Sequence, residues 1–227
     1  RDLVRSRGLG DVYKRQDPVN LSTGNFIYDR TDLEVGGREP FVFRRFYNTI
    51  NGREGVLGRD WNHNYEVHLE FTDGEAVLLR EDGKEERFFW EKDRYLSLFA
   101  SEGVLEKAED GYTYRTREQK VYRFDREGMC LETETLLGSL VTFTYEEGSP
   151  FRLVKVEKDT GEFFAFSYGA DGMLEHVKDH AGRSLSYKYQ GSLLKEVTLP
   201  DGNTFRYGYT PQGKLEHVEN QLSLIHI

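Results

Sequence analysis

One aromatic returns about every twenty residues between Tyr122 and Asn220, and this constrains the fold more than any other feature of the chain. Phe124, Tyr145, Tyr168, Tyr189 and Tyr209 lie 21, 23, 21 and 20 residues apart, a regularity that a single-pass globular domain has no reason to show. Each ends a run with large residues at alternate positions, as in Phe164-Ala165-Phe166-Ser167-Tyr168 and Phe205-Arg206-Tyr207-Gly208-Tyr209. Period two predicts a strand with one apolar face. Each rung is followed by a turn closing on glycine, such as Gly128, Gly148, Gly172, Gly191 or Gly213, and then by a second strand: Leu174-Glu175-His176-Val177, Leu194-Lys195-Glu196-Val197, Leu215-Glu216-His217-Val218. Leu and Val three apart cannot share a face by strict alternation, so a bulge or strong twist is expected there. The predicted fold is all-β: stacked hairpins forming one continuous twisted sheet, with the Leu and Val positions more buried than Glu175, Lys195 and Glu216.

The residues Tyr168-Gly169-Ala170-Asp171-Gly172-Met173-Leu174 and Leu199-Pro200-Asp201-Gly202-Asn203-Thr204-Phe205-Arg206-Tyr207, with the spacing between them, resemble the YD repeat of RHS proteins. The signature dipeptide survives only in the form Phe124-Asp125; elsewhere the rung is followed by Glu146, Gly169, Gln190 or Thr210. Upstream, Asp17-Pro18-Val19, Thr23-Gly24, Thr31-Asp32-Leu33, Arg45-Phe46-Tyr47-Asn48, Leu57-Gly58 and Trp61 resemble, in the family's order, the DUF6531 domain that precedes such repeats. The resemblance implies a segment of a bacterial secreted or surface protein whose repeats wind into a β shell around a C-terminal toxin. The partners it implies are the rest of that shell and the toxin.

The organisation expected is a start domain at 17–70, degenerate hairpins at 71–121 separated by turns such as Asp73-Gly74 and Asp82-Gly83, and repeats at 122–221, the sheet running unbroken throughout. Ser97 to Lys107 admits a helix, a loop or a short strand. Residues 1–16, with five basic against two acidic side chains, and 222–227 resemble translated sequencing-adapter read-through; they are expected to make no sheet pairing. The sheet would then end at an unpaired edge with its aromatic face uncovered, and the chain would self-associate.

Composition narrows the function. A formal charge of −9 without a basic stripe argues against nucleic acid, and no apolar run approaches a membrane span or resembles a signal peptide. No catalytic, metal or cofactor site is expected. His176 and His180 are four apart, a ligand spacing on a helix but here divided between strand and turn, and His176 and His217 fill the same slot of two repeats. His63 and His68 are read as packing or edge hydrogen-bonding groups, and Cys130 as a buried structural thiol. No Asp-Pro-x-Gly-Leu match to the family's self-cleavage site is present. The competing reading is a carbohydrate-binding or adhesive surface, with Tyr187 and Tyr207 stacking on sugar rings.

Overall fold

The computed structural model describes residues 19–20, 25–49, 52–97, 102–149, 151–220 and 224–226, and these contain strands and no helix. An opening segment carries β1 (Val19–Asn20), β2 (Asn25–Val35), β3 (Phe41–Asn48), β4 (Glu54–Gly55), β5 (Gly58–Arg59) and β6 (Trp61–His63). A middle set follows: β7 (His68–Thr72), β8 (Glu75–Leu79), β9 (Glu85–Glu91) and β10 (Arg94–Ser97). Next come β11 (Gly103–Ala108), β12 (Gly111–Thr116), β13 (Val121–Phe124), β14 (Cys130–Glu134), β15 (Leu140–Tyr145), β16 (Leu153–Lys158) and β17 (Phe163–Tyr168). The chain closes with β18 (Leu174–Asp179), β19 (Ser184–Gln190), β20 (Leu193–Thr198), β21 (Thr204–Tyr209), β22 (Leu215–Glu219) and β23 (Leu224–His226).

Strands β11 to β23 pair in sequence order into one antiparallel sheet of 13 strands, the ladder anticipated from the period of about twenty. The expected irregularity is a register shift at every rung from Phe124 on, where two residues of the second strand oppose one aromatic: Phe124 faces Cys130, Tyr145 faces Leu153, Tyr168 faces Leu174, Tyr189 faces Leu194 and Tyr209 faces Leu215. The extra residue restores Leu and Val to the same face. Leu174, Val177, Leu194, Val197, Leu215 and Val218 are accordingly buried, while Glu175 and Glu216 are exposed and Lys195 is half-buried. Each bulge also fastens the next repeat. The hydroxyls of Tyr145, Tyr168, Tyr189 and Tyr209 donate to the carbonyls of Cys130, Leu153, Leu174 and Leu194 at 2.8, 2.7, 2.7 and 2.6 Å, always fifteen residues back. The rung therefore has to be tyrosine once a repeat precedes it, and Phe124 opens the series without a hydroxyl.

The sheet does not run unbroken from the opening segment. Strands β1-β2-β3-β6 and β10-β9-β8-β7 form two separate four-stranded sheets and β4-β5 a two-stranded one, with an isolated bridge between His68 and Met129 beside the ladder. The reason is burial. Strand β3 presents Phe41, Phe43, Arg45 and Tyr47 inward at alternate positions, and a face this apolar is covered by stacking on the ladder's own apolar face, not by edge pairing. Phe41 stacks on Phe164 with centroids 4.5 Å apart, His63 on Phe166 at 5.5 Å, and Trp61 meets Tyr207 edge-on at 5.0 Å. The ladder's aromatic face is thus covered rather than bare, and a single core cluster runs from Phe26 to Val218.

One open reading is decided and one expectation is corrected. Gly103–Ala108 is a strand, which settles that part of the stretch read three ways from sequence. At the far end Leu224–His226 pairs antiparallel with β22, against the expectation that 222–227 makes no sheet pairing. Ile225 stands opposite Val218 in the register at which Leu185 stands opposite Val177 and Phe205 opposite Val197, so backbone hydrogen bonding extends the ladder by one strand. The expectation for residues 1–16 lies outside the described residues.

Candidate functional site

The polar chemistry of this molecule concentrates where the opening segment meets the ladder. It begins with a local irregularity: β2 carries a bulge between Thr31 and Leu33, so Asp32 and Leu33 both turn inward although they are adjacent. The alternation of β3 delivers Arg45, which stands opposite Arg30 in the register, fully buried into a core position beside Asp32. Arg45 Nη2 donates to Asp32 Oδ1 at 2.9 Å, Nε donates to Oδ2, and Nη2 also reaches the hydroxyl of Tyr207 at 3.0 Å. The guanidinium lies 5.2 Å from the Trp61 ring, 5.5 Å from Tyr207 and 5.8 Å from Tyr187. Burial opposes its charge, but Asp32 and the two phenols outweigh that and hold its pKa well above the ordinary guanidinium value. Burial, with Asp32 beside it, likewise drives the Tyr187 phenol far up.

Around this ion pair the opening segment makes a row of ties to the ladder. Trp61 Nε1 donates to Tyr209 Oη at 3.0 Å, the Leu215 amide donates to Tyr47 Oη at 2.9 Å, and the Leu174 amide donates to the Val56 carbonyl at 2.8 Å. Lys214 Nζ bridges Asp60 Oδ2 and the Thr49 carbonyl, both at 2.8 Å. The β4–β5 hairpin sits so close that a Cβ on Gly58, at φ +94°, would lie 2.4 Å from the Ser192 carbonyl oxygen, while the Arg59 amide donates to that same oxygen at 2.9 Å.

The residues weighed from sequence fall as follows. His176 and His180 are exposed, His180 beside the ring of Phe163, and His217 is half-buried over Gly208. Among the described residues no group of three or more His, Cys, Asp or Glu could hold a metal ion. Cys130 is buried and its thiol is pushed up by that burial. Tyr187 and Tyr207, the candidates for sugar stacking, are 4% and 3% exposed and face Arg45. What sequence reading missed is the Arg45–Asp32 pair; its signal was a charge in the third of four alternating core positions, Phe41, Phe43, Arg45, Tyr47.

Residues 16–88 match a family described as a domain of unknown function, DUF6531. Over 208 residues the chain is 26% identical to a probable deoxyribonuclease RhsB of Dickeya dadantii (strain 3937), and over 206 residues 26% identical to the probable deoxyribonuclease RhsA of the same strain. The chain is similar to RHS proteins. The two matches cover 89% and 88% of it and 13% of each relative, so the chain spans about an eighth of the length of those proteins. It is also 28% identical over 116 residues to the tRNA nuclease WapA of Bacillus subtilis (strain 168), covering 50% of this chain and 5% of that one. Among solved structures, TcdB2-TccC3-Cdc42 aligns with 87% of this chain and 10% of its own, at 11% identity and a TM-score of 0.35.

Proposed function

We propose that this chain is a non-enzymatic length of RHS shell wall, in which the opening segment seals the apolar face of the first repeats. The shell would enclose a C-terminal toxin carried elsewhere in a longer, secreted or surface-borne protein. The observation that carries this reading is the buried Arg45–Asp32–Tyr207 contact with the ties beside it, which spend the opening segment's polar groups on holding it to the ladder. The nuclease names belong to relatives of which the matching stretch is 13%, and we assign that chemistry to their remaining length. The domain limits 17–70, 71–121 and 122–221 are proposed on the same basis. The test is limited proteolysis of a longer chain that adds the following repeats and the C-terminal region. Protection of that region, lost when Asp32→Ala loosens the seal, is the expected result; equal cleavage with and without the substitution refutes the enclosure.

A carbohydrate-binding surface keeps one supporting observation, at a different place from Tyr187 and Tyr207. Phe71 and Trp90 stay 37% and 40% exposed, and with Tyr95 and Tyr112 they make a connected group: Phe71–Tyr112 at 4.6 Å, Tyr95–Tyr112 at 6.1 Å and Trp90–Tyr95 at 4.9 Å. Titration of an oligosaccharide panel against tryptophan fluorescence tests it. Saturable quenching abolished by Trp90→Ala supports this reading, and a flat response removes it.

A further inference from the structure

The longest of the ladder's rung turns lies beside a cleft. From Tyr145 to Leu153 the chain takes two residues more than from Phe124 to Cys130, Tyr168 to Leu174 or Tyr209 to Leu215, the corresponding spans of other repeats. Phe151, in this longer turn, adopts a left-handed backbone at φ 65°, a strained conformation for a bulky side chain. Its ring is 41% exposed and lies 4.8 Å from that of His68. Together they rim a cleft of ≈ 370 Å³. One wall comes from the opening segment, with Glu54, Val56, His63 and Glu66, and the other from the ladder, with Tyr145, Leu153, Tyr168, Asp171 and Met173.

The chemistry of the cleft is set by Glu66. Its Oε1 accepts the His63 amide at 3.1 Å and stands 3.4 Å from His63 Nε2. Because His63 Nδ1 accepts the Tyr65 amide at 3.2 Å, the ring proton of the neutral imidazole belongs on Nε2, toward Glu66. Burial among Phe43 and Phe166 lowers the imidazole to about 3, so His63 offers Glu66 hydrogen bonds but no charge. Burial in turn raises the Glu66 carboxyl to about 8, relieved only in part by the His63 amide. The basic side chains nearby are engaged elsewhere: Arg152, 5.4 Å above the Tyr168 ring, donates to Glu146 at 3.1 Å, and His68 Nε2 is 3.1 Å from Glu70. Glu54 and Asp171 add two more acidic side chains to the walls, and Tyr145 and Tyr168 line the cleft with their hydroxyls spent on the carbonyls of Cys130 and Leu153.

We propose that this cleft binds an organic ammonium ion, a primary amine on an aliphatic stem, with ionised Glu66 as its counter-ion. The aromatic and aliphatic walls, with Tyr145, Tyr168 and Phe151 among them, receive the stem. A free alkylamine and the side chain of a lysine carry the same group. Binding exchanges a proton on Glu66 for the ligand's charge, so one proton leaves for each amine bound wherever free Glu66 is protonated.

Calorimetry with n-butylamine, cadaverine and a capped lysine amide, against n-butanol as neutral control, tests this on the whole chain in two buffers of different ionisation enthalpy. The expected result at pH 7 is saturable amine binding with release of close to one proton, with affinity rising about tenfold per pH unit until it levels near pH 8. Binding of all three amines assigns the site to the ammonium group; binding of the capped lysine alone assigns it to a peptide segment. Glu66→Gln, which keeps the shape and the hydrogen bonds to His63, loses at least about tenfold in affinity and all proton release, with the melting curve and circular dichroism showing that it is folded. No saturable binding to the wild-type chain at pH 8, or equal binding to Glu66→Gln without proton release, overturns the proposal.

Discussion

The ladder and the opening segment are both antiparallel β structure, yet they are held together in opposite ways. In the ladder one device recurs, a bulge opposite the rung and a tyrosine reaching back fifteen residues, in four copies. The opening segment relies on contacts that occur once: Arg45 with Asp32 and Tyr207, Trp61 with Tyr209, Lys214 with Asp60. Repetition spreads stability over nearest-neighbour interfaces, whereas a single docking event concentrates it in a few desolvated groups. Damage to one copy in the ladder should therefore be tolerated, and damage at the docking face should not.

The sharpest test removes one half of the buried pair. Asp32→Ala strands the Arg45 charge in the core and should destabilise by about 3–5 kcal/mol in urea unfolding, while the paired change Asp32→Leu with Arg45→Met should cost much less. A small loss for Asp32→Ala alone would erase the contrast between the regions.

Acid and base should separate them next. Glu66, raised from 4.5 to about 8, holds a proton in the folded state that the unfolded chain has already lost, so it withdraws stability as pH rises from 4.5 to 8. His63, lowered from 6.5 to about 3, withdraws stability as pH falls through that interval. Between pH 4.5 and 6.5 the two cancel, and from pH 6.5 to 8 the loss through Glu66 should be about 2 kcal/mol at about 1.36 kcal/mol per pH unit. Glu66→Gln should flatten that alkaline limb, and chemical denaturation across the pH range reads it directly.

Smaller effects resolve the two kinds of tyrosine contact. Tyr145→Phe removes one hydroxyl bonded to the Cys130 carbonyl and should cost about 1 kcal/mol. Tyr209→Phe also leaves the buried Trp61 Nε1 without its acceptor and should cost about 1–3 kcal/mol. Smallest of all is Arg206→Ala on the outer face, where the pair with Glu196 at 3.3 Å is solvent-exposed and should contribute about 0–1 kcal/mol to thermal stability.

The candidate cleft was the least legible part. His63 and His68 looked like packing groups because the partner that matters to His63, Glu66, lies three residues on in an irregular stretch, and because the facing wall of Tyr145, Tyr168 and Asp171 is supplied by repeats some eighty to one hundred residues later. The one local sign was arithmetic: the interval of 23 between Tyr145 and Tyr168 among intervals of 20 and 21.

What the sequence determined by itself is the ladder. Strand period, glycine-closed turns, the order of pairing and even the bulge follow from spacings shorter than one repeat, and backbone hydrogen bonding between neighbours needs nothing more. Tertiary structure alone decided what covers the ladder's aromatic face. Alternation marked Phe166, Tyr187 and Tyr207 as one face but carried no information on its partner, since an apolar face is satisfied by any complementary surface. The choice fell to contacts across more than a hundred residues, Arg45 to Tyr207 and Trp61 to Tyr209 among them, whose geometry exists only once both sheets have formed.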